Sequence, residues 1–446
     1  HPIIVTNIND SNFQWGYHAN SNAQLKNCDF QFDITLEGSD DRVKLTGDCE
    51  FDAFTVAAGD KLDLNGQRMK CDDLVVGGTA DFGSNSLLYC TNLNPNGQVD
   101  NEAGANIIIR GDGAGDDVNL NDYYFVGDAT TNIMIDNGSI STDWAGSYNY
   151  AGNMIIGSGT FRSQNSDQNC CHNLTIATGA TLDADNDTIK VAGDFTASGG
   201  LIGKSAYDFN GAASGGGFIN SGSDSSIDDI FDSGGTVEAW IRIDGDAGTS
   251  SGMRPFSKDK WFVSVDNDAS GDVYKLRLFQ FFSGDNGIWS STDTVLSQDK
   301  WHHIAITYNN GAITNDPIMY VDGKQVAITE TGTPTSSRDT DASAPLYIGN
   351  RADGARTFNG IIAMTRLFDD IRTEAELRAD MFNNFASMAN TGDLELMYQF
   401  DEGSGASVAD VSSQSNTGTI TANSSDWVGS GTFTYGTSTL NMTGSN

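Results

Sequence analysis

The first two hundred residues carry a pattern that recurs about every 20 positions, and that period restricts the fold more than any bulk property of the chain. Phe54-Thr-Val-Ala-Ala-Gly59, Leu74-Val-Val-Gly-Gly78 and Leu93-Asn-Pro-Asn-Gly97 begin 20 and then 19 residues apart. Met134-Ile-Asp-Asn-Gly138, Met154-Ile-Ile-Gly157, Leu174-Thr-Ile-Ala-Thr-Gly179 and Phe195-Thr-Ala-Ser-Gly199 follow at steps of 20, 20 and 21. Each unit is a short strand, a glycine turn and further short strands such as Lys61-Leu-Asp-Leu64 or Thr188-Ile-Lys-Val191. A unit this small has no interior of its own, so it buries its apolar side chains only against the units before and after it. Residues 25–200 are therefore expected to form a β-solenoid. Residues 1–24, with Phe13, Trp15 and Tyr17, are expected to cap the first rung or to dock onto a neighbouring subunit.

The cysteines keep the same interval. Cys28, Cys49, Cys71 and Cys90 stand 21, 22 and 19 residues apart, so equivalent rung positions would stack about 4.8 Å apart, within reach of pairing or of a ladder of buried thiols. Six cysteines in 446 residues do not make a disulfide scaffold, and Cys170-Cys171-His172 has no second pair at zinc-finger spacing. Residues 101–132 interrupt the period with a Gly/Asp-rich run containing Arg110-Gly-Asp112, expected to be a loop between rungs rather than an adhesion motif. Ser198-Gly-Gly200 marks the domain junction.

Beyond residue 200 the period changes. Val237-Glu-Ala-Trp-Ile-Arg-Ile243 and Trp301-His-His-Ile-Ala-Ile-Thr-Tyr308 alternate as strands, and Ile318-Met-Tyr-Val321 runs into Asp322-Gly323, a strong hairpin turn signal. Pro345-Leu-Tyr-Ile-Gly349, Phe358-Asn-Gly-Ile-Ile-Ala-Met-Thr-Arg-Leu-Phe368 and a helix at Arg372-Thr-Glu-Ala-Glu-Leu-Arg378 follow. In this order the segments resemble the laminin-G-like, concanavalin A-like jelly-roll family over roughly residues 201–430. Leu396-Met-Tyr-Gln-Phe-Asp-Glu-Gly403, Asp410 and Asn416-Thr-Gly418 add a tail often found beside that helix. The expected fold is all-β: an N-terminal β-solenoid followed by a concanavalin A-like jelly-roll β-sandwich over 201–446, C-terminal tail included.

Composition narrows the partners. A formal charge of -36 with only 24 Lys and Arg argues against nucleic acid and anionic lipid, since a phosphate-binding face needs clustered cations. No apolar run reaches the length of a membrane helix. Nine of the 60 acids are Glu and the other 51 Asp, which suits many turns and, on loops, hard cations. The chain starts at His1 without a leader, so either a leader or propeptide has been removed or the sequence begins inside a longer one.

Candidate sites are few. Asp266, Asp268, Ser270 and Asp272 follow the order of the first half of a calcium loop, although Arg277 stands where a bidentate Glu belongs. A plain hairpin turn between Trp261-Phe-Val-Ser-Val265 and Tyr274-Lys-Leu-Arg-Leu-Phe279 is the competing reading. Trp289, beside Asp285 and Asn286, could stack on a sugar, with core packing as the use expected for at least two of Trp289, Phe281 and Phe282. The Glu-x-Asp-x-x-Glu arrangement of jelly-roll glucanases is absent. His302 and His303 point to opposite faces of a strand, one expected packed and one solvated.

The expected function is that of a non-enzymatic bacteriophage virion structural protein, a fibre, spike or decoration component with a lectin-like domain for surface glycans. It rests on the resemblance of Thr314–Gly323 and Tyr347–Arg351 to laminin-G-like domains in virion and tail-fibre proteins of marine bacteriophages. Expected partners are other virion or appendage subunits, surface glycan and further copies of the chain, with calcium as cofactor, at a virion surface or outside the cell. The alternatives are a secreted bacterial adhesin or appendage subunit, and a polysaccharide-degrading enzyme with a binding module.

Overall fold

In the computed structural model of the protein, the described residues are 3–6, 22–26, 28–30, 34–36, 42–95, 97–111, 125–126, 129–145, 148–149, 152–164, 168–184, 187–210, 216–246, 252–267, 272–422, 425–434 and 439–442. They form two compact units: His1–Ala197 with Ser430–Asn446, and Ser198–Gly429. Phe13, Trp15 and Tyr17 lie outside the described residues.

The first unit is a β-solenoid of parallel strands. One sheet stacks strands from Ile3–Thr6 to Phe125–Val126, a second from Cys28–Phe30 to Phe195–Gly199, and a third from Tyr148–Asn149 to Thr439–Met442. Partner residues are one period apart, as in Phe54 opposite Leu74 opposite Leu93. Inward positions alternate with outward ones, so Leu62, Leu64, Leu74, Val76, Ala80 and Phe82 are fully buried. Each large apolar side chain so buried contributes about 1.5–3 kcal/mol. The 101–132 stretch does not break the stack. Asn106 pairs in register with Asn132, so this one turn is 26 residues long.

Polar side chains stack as well. Asn132 Nδ2 donates to Asn106 Oδ1 at 2.8 Å, Asn153 Nδ2 to Asn132 Oδ1 at 3.1 Å, and Asn173 Nδ2 to Asn153 Oδ1 at 2.9 Å, an asparagine ladder climbing four rungs. The Asp194 amide closes it on Asn173 Oδ1 at 2.7 Å. Arg110 belongs to this interior rather than to a loop tip. Its Nε meets Asp136 at 2.9 Å, its Nη1 donates to the Tyr89 hydroxyl, and Ser158 donates to the same Asp136 carboxylate at 2.6 Å.

The cysteines form two stacked pairs instead of one ladder. Cys28 lies opposite Cys49 and Cys71 opposite Cys90, but Cys49 faces Met69 and Phe51 faces Cys71. All four, with Cys171, are buried. Contact with Cys28 and then burial push the Cys49 thiol up; burial pushes up Cys71 and Cys90. Thiols held protonated in this way are poor nucleophiles and poor metal ligands. The Cys170 side chain lies outside what is described.

The end of the solenoid differs from the expected boundary at 200. Thr432–Thr434 pairs in parallel with Thr181–Asp183, and Thr439–Met442 with Thr188–Val191. Phe195–Gly199, stacked on Leu174–Ala177, supplies the first strand of that same rung. The C-terminal tail is thus solenoid rather than jelly roll, and the second unit is inserted within one rung. Hydrogen bonding explains the return: without residues 432–442, the donors and acceptors of 181–191 would form an open edge.

The second unit is a sandwich of antiparallel sheets with eight and ten strands. Tyr274, Leu276 and Leu278 of Val273–Gln280 meet Ile304, Ile306 and Tyr308 of Trp301–Tyr308 in one core. The turn at Asp322-Gly323 has both residues at positive φ, 49° and 67°, the conformation Asp-Gly supplies at least strain. Glu374–Asp380 is the expected short helix, opened by a capping box in which Glu376 N donates to Thr373 Oγ1 and Thr373 N to Glu376 Oε2. Beneath it, Arg366 Nη1 reaches the buried Glu238 carboxylate at 2.6 Å. Burial would raise the Glu238 pKa, but the Arg366 charge outweighs it, with help from His303, and holds that carboxyl down to about 2.

Candidate functional site

Two of the expected sites look different in three dimensions. Trp289 is a core residue: on Gly287–Ser291 it shares the inward phase, is fully buried, packs against Tyr308 at 5.2 Å and donates from Nε1 to Asp316. Phe282 is buried as well. Asp285 and Asn286 shape their own loop, the Asp285 amide donating to Thr335 Oγ1 and Asn286 Oδ1 accepting from the Phe282 amide. None of the three forms a sugar platform. In the calcium-type loop, Asp268 and Ser270 lie outside the described residues. Asp266 does not fit a calcium ligand, since its carboxylate lies 2.5 Å from Arg277 Nη2 across the hairpin, while Asp272 is exposed. Among the described residues no group of three His, Cys, Asp or Glu side chains is placed to hold a metal.

His302 and His303 do point to opposite faces, but both are buried where one was expected solvated, because the helix segment covers the face on which His303 lies. His302 belongs to a constellation the sequence did not reveal. Its Nδ1 lies 2.9 Å from Asp322 Oδ2 and its Nε2 3.1 Å from Ser297 Oγ, the spacing of a Ser-His-Asp triad. The chemistry is blocked at one atom. The Ser297 backbone amide donates to the same Nε2 at 3.1 Å, occupying the lone pair that would take the serine proton. The three residues therefore act as a staple between strand and turn.

The remaining candidate is the face of the ten-stranded sheet turned away from the core. Strand alternation puts Trp261, Val263 and Val265 inside, so Phe262, Ser264 and Asp266 stand outside. By the same parity Phe279 and Arg277 are outward on the next strand, with Phe262 opposite Phe279. Tyr347 lies opposite Ser257 and Asn220 on neighbouring strands. The result is a band of rings: Phe218 on Tyr347 at 5.2 Å, Phe262 stacked on Phe279 at 4.9 Å, and Phe279 on Phe281 at 4.8 Å. All but Phe262 are half-buried.

One edge of the band is cationic. A β-bulge between Met253 and Phe256, both core residues, turns Arg254 outward, where its guanidinium lies 3.5 Å above the Phe262 ring and its Nη1 donates to Ser257. Burial, followed by the charges of Arg351 and Arg356, lowers the Arg254 pKa to about 10. Arg351 and Arg356 sit on a loop pinned by fully buried Asn350, whose Oδ1 accepts from both their amides at 2.8 Å and whose Nδ2 donates to Thr357 and Gly216.

Comparison with known proteins agrees with this architecture. Residues 214–378 match the family model of the concanavalin A-like lectin/glucanases superfamily, so this part of the chain is a concanavalin A-like domain. Similar solved structures include a protein of Bacteroides ovatus ATCC 8483 described as carbohydrate binding, at 19% identity over 54% of this chain and 62% of that one, TM-score 0.37. This chain thus spans less than two thirds of that protein. Domain 4 of AbnA, a GH43 extracellular arabinanase from Geobacillus stearothermophilus in complex with arabinotriose, matches at 19% identity over 35% of this chain and 70% of that one, TM-score 0.25. Tailspike protein 2 from Escherichia coli O157:H7 bacteriophage CAB120 matches at 11% identity over 86% and 74%, TM-score 0.28. No curated protein matches the chain. No helix among the described residues is long and apolar enough to cross a membrane.

The outward aromatic band had a signal in the sequence. Phe262 and Phe279 occupy the off-phase of strands whose other phase is already apolar. What could not be read was that strands 218–220, 253–258 and 347–348, far apart in the chain, are neighbours.

Proposed function

We propose that the protein is a non-enzymatic attachment protein, a fibre, spike or decoration component of a bacteriophage virion, whose sandwich holds surface glycan on the outer face of its ten-stranded sheet. The observation that carries the glycan reading is the band of Phe218, Tyr347, Phe262, Phe279 and Phe281 on a sheet face. Half-buried rings offer flat apolar surface to the C–H faces of sugars, and neighbouring half-buried Asn220 offers an amide group for hydrogen bonding. The Ser297-His302-Asp322 staple, its lone pair occupied, favours binding over turnover. The virion placement follows from the resemblance carried by Thr314–Gly323 and Tyr347–Arg351.

A glycan array probed with the full chain tests the binding, and immunogold labelling of virions and of bacterial surfaces tests the placement. Expected are retention of a subset of glycans, loss of about tenfold or more in affinity for Tyr347→Ala, and gold on particles. Equal binding by folded Tyr347→Ala and Phe279→Ala, or sugar release from bound polysaccharide, overturns the binding reading; gold on cells alone moves the protein to a bacterial adhesin.

A further inference from the structure

We infer that the glycan held on this face is acidic, and that Arg254, Arg351 and Arg356 receive its carboxylate or sulfate groups. The inference rests on the glycan reading above and narrows it to a substrate class. Three guanidiniums gather at one edge of the aromatic band in a chain that has 24 basic residues against 60 acidic ones. Folding alone does not account for them. Arg351 is paired, its Nε donating to Asp353 at 2.8 Å, but Arg254 and Arg356 have no carboxylate within salt-bridge distance among the described residues. Arg254 is 9% exposed, yet its Nε has no hydrogen-bond partner, and neither does the buried Nε of Arg356. A buried N–H left unmatched is costly, and Arg254 and Arg356 each carry one at this edge.

The arrangement is built beforehand. The bulge fixes Arg254, its amide donates to the Arg356 carbonyl at 3.1 Å, and Asn350 holds the loop from beneath. Arg254 lies over Phe262, so an anionic group bound there places its sugar ring toward the aromatic band. Planar guanidinium forks match carboxylate and sulfate oxygens in pairs. Because the chain as a whole carries a net charge of -36, a polyanion is repelled elsewhere, and the cationic edge gives it one address.

Affinity electrophoresis of the full chain through gels holding dextran, dextran sulfate or polygalacturonate tests this. Expected is retardation by at least one of the two polyanions, with affinity at least tenfold above that for dextran. Sulfate preference and uronate preference separate in the two acidic gels. Arg254→Gln and Arg356→Gln should each weaken polyanion binding about tenfold or more. Arg356 sits half-buried on a loop, so its variant remains informative if Arg254→Gln does not fold. Dextran bound as well as either polyanion, no retardation by either polyanion, or unchanged polyanion binding in folded Arg356→Gln overturns the inference. Neutral glycans on the array lost with Tyr347→Ala would still uphold the glycan reading; an array without any ligand removes both.

Discussion

The rings of Phe195 and Phe433 meet edge to face, their centroids 5.8 Å apart, although the whole of Ser198–Gly429 lies between them in sequence. They belong to one rung, whose first strand precedes the sandwich and whose other strands follow it.

Removing residues 430–446 should therefore damage the unit that lies farthest away in sequence. Differential scanning calorimetry of the shortened chain should show the solenoid transition lowered and the sandwich transition unmoved. Phe433→Ala should reproduce part of the loss, about 1–3 kcal/mol, because the ring is only partly buried. A lowered sandwich transition with an intact solenoid would contradict the shared rung.

Asn132 is the central link of the asparagine ladder, bonded both to Asn106 and to Asn153. Asn132→Ala removes a partner from both neighbours; Asn153 Nδ2 keeps its bond to Ala129 O, so the cost is that of the buried Asn106 Oδ1 losing this donor, about 1–3 kcal/mol. Urea unfolding of the solenoid should show a loss in that range, whereas an exposed asparagine would give almost none.

The His302 staple predicts loss of stability without loss of chemistry. His302→Ala leaves the buried Asp322 carboxylate short of a partner and should cost about 2–4 kcal/mol. Hydrolysis of p-nitrophenyl acetate by the unaltered chain should run at the buffer rate. A rate that depends on Ser297 would mean that the Nε2 lone pair is free after all.

Glu238 sets a pH signature. Its folded pKa of about 2 lies below the ordinary 4.5, so its stabilisation is complete above pH of about 4.5 and is lost as pH falls toward 2. Glu238→Gln should cost about 3–5 kcal/mol at neutral pH by stranding Arg366. The gap in melting temperature between the two proteins should close over that acidic window, and a constant gap would contradict the depressed pKa.

On the solenoid surface, Asp63, Asp81 and Asp100 stack in register. Burial, then the charges of Asp63, Glu102 and Asp100, raise the Asp81 pKa. A raised folded pKa penalises stability at neutral pH and relieves it on acidification. Asp81→Asn should accordingly stabilise by about 0.5 kcal/mol in low salt and by less in high salt.

Periodicity made both architectures legible. The 20-residue step from Phe54 to Leu74 is a ladder register, and the alternation in Trp301–Tyr308 is a sandwich strand. Local turn chemistry was legible too, as at Asp322-Gly323. What escaped depends on contacts between residues remote in sequence. The jelly-roll tail could not be told from a solenoid rung, because Thr432–Thr434 is three residues long and its partner lies some 250 positions earlier. Trp289 looked like a platform because its strand, five residues long, left the inward phase ambiguous. Arg254 was invisible as a site residue because a bulge, which no period announces, decides its face.

The divided rung also sets an order of events at the ribosome. Once Phe195–Gly199 has emerged, Ser198–Gly429 must be translated before Thr432–Thr434 exists, roughly 10–50 s at about 5–20 residues per second. Throughout that interval the nascent stack keeps the bare rims of Thr181–Asp183 and Thr188–Val191, a template for any neighbouring chain on the same polysome. Because translation of the insert sets that interval, each pause within it prolongs the exposure of the solenoid to a wrong copy.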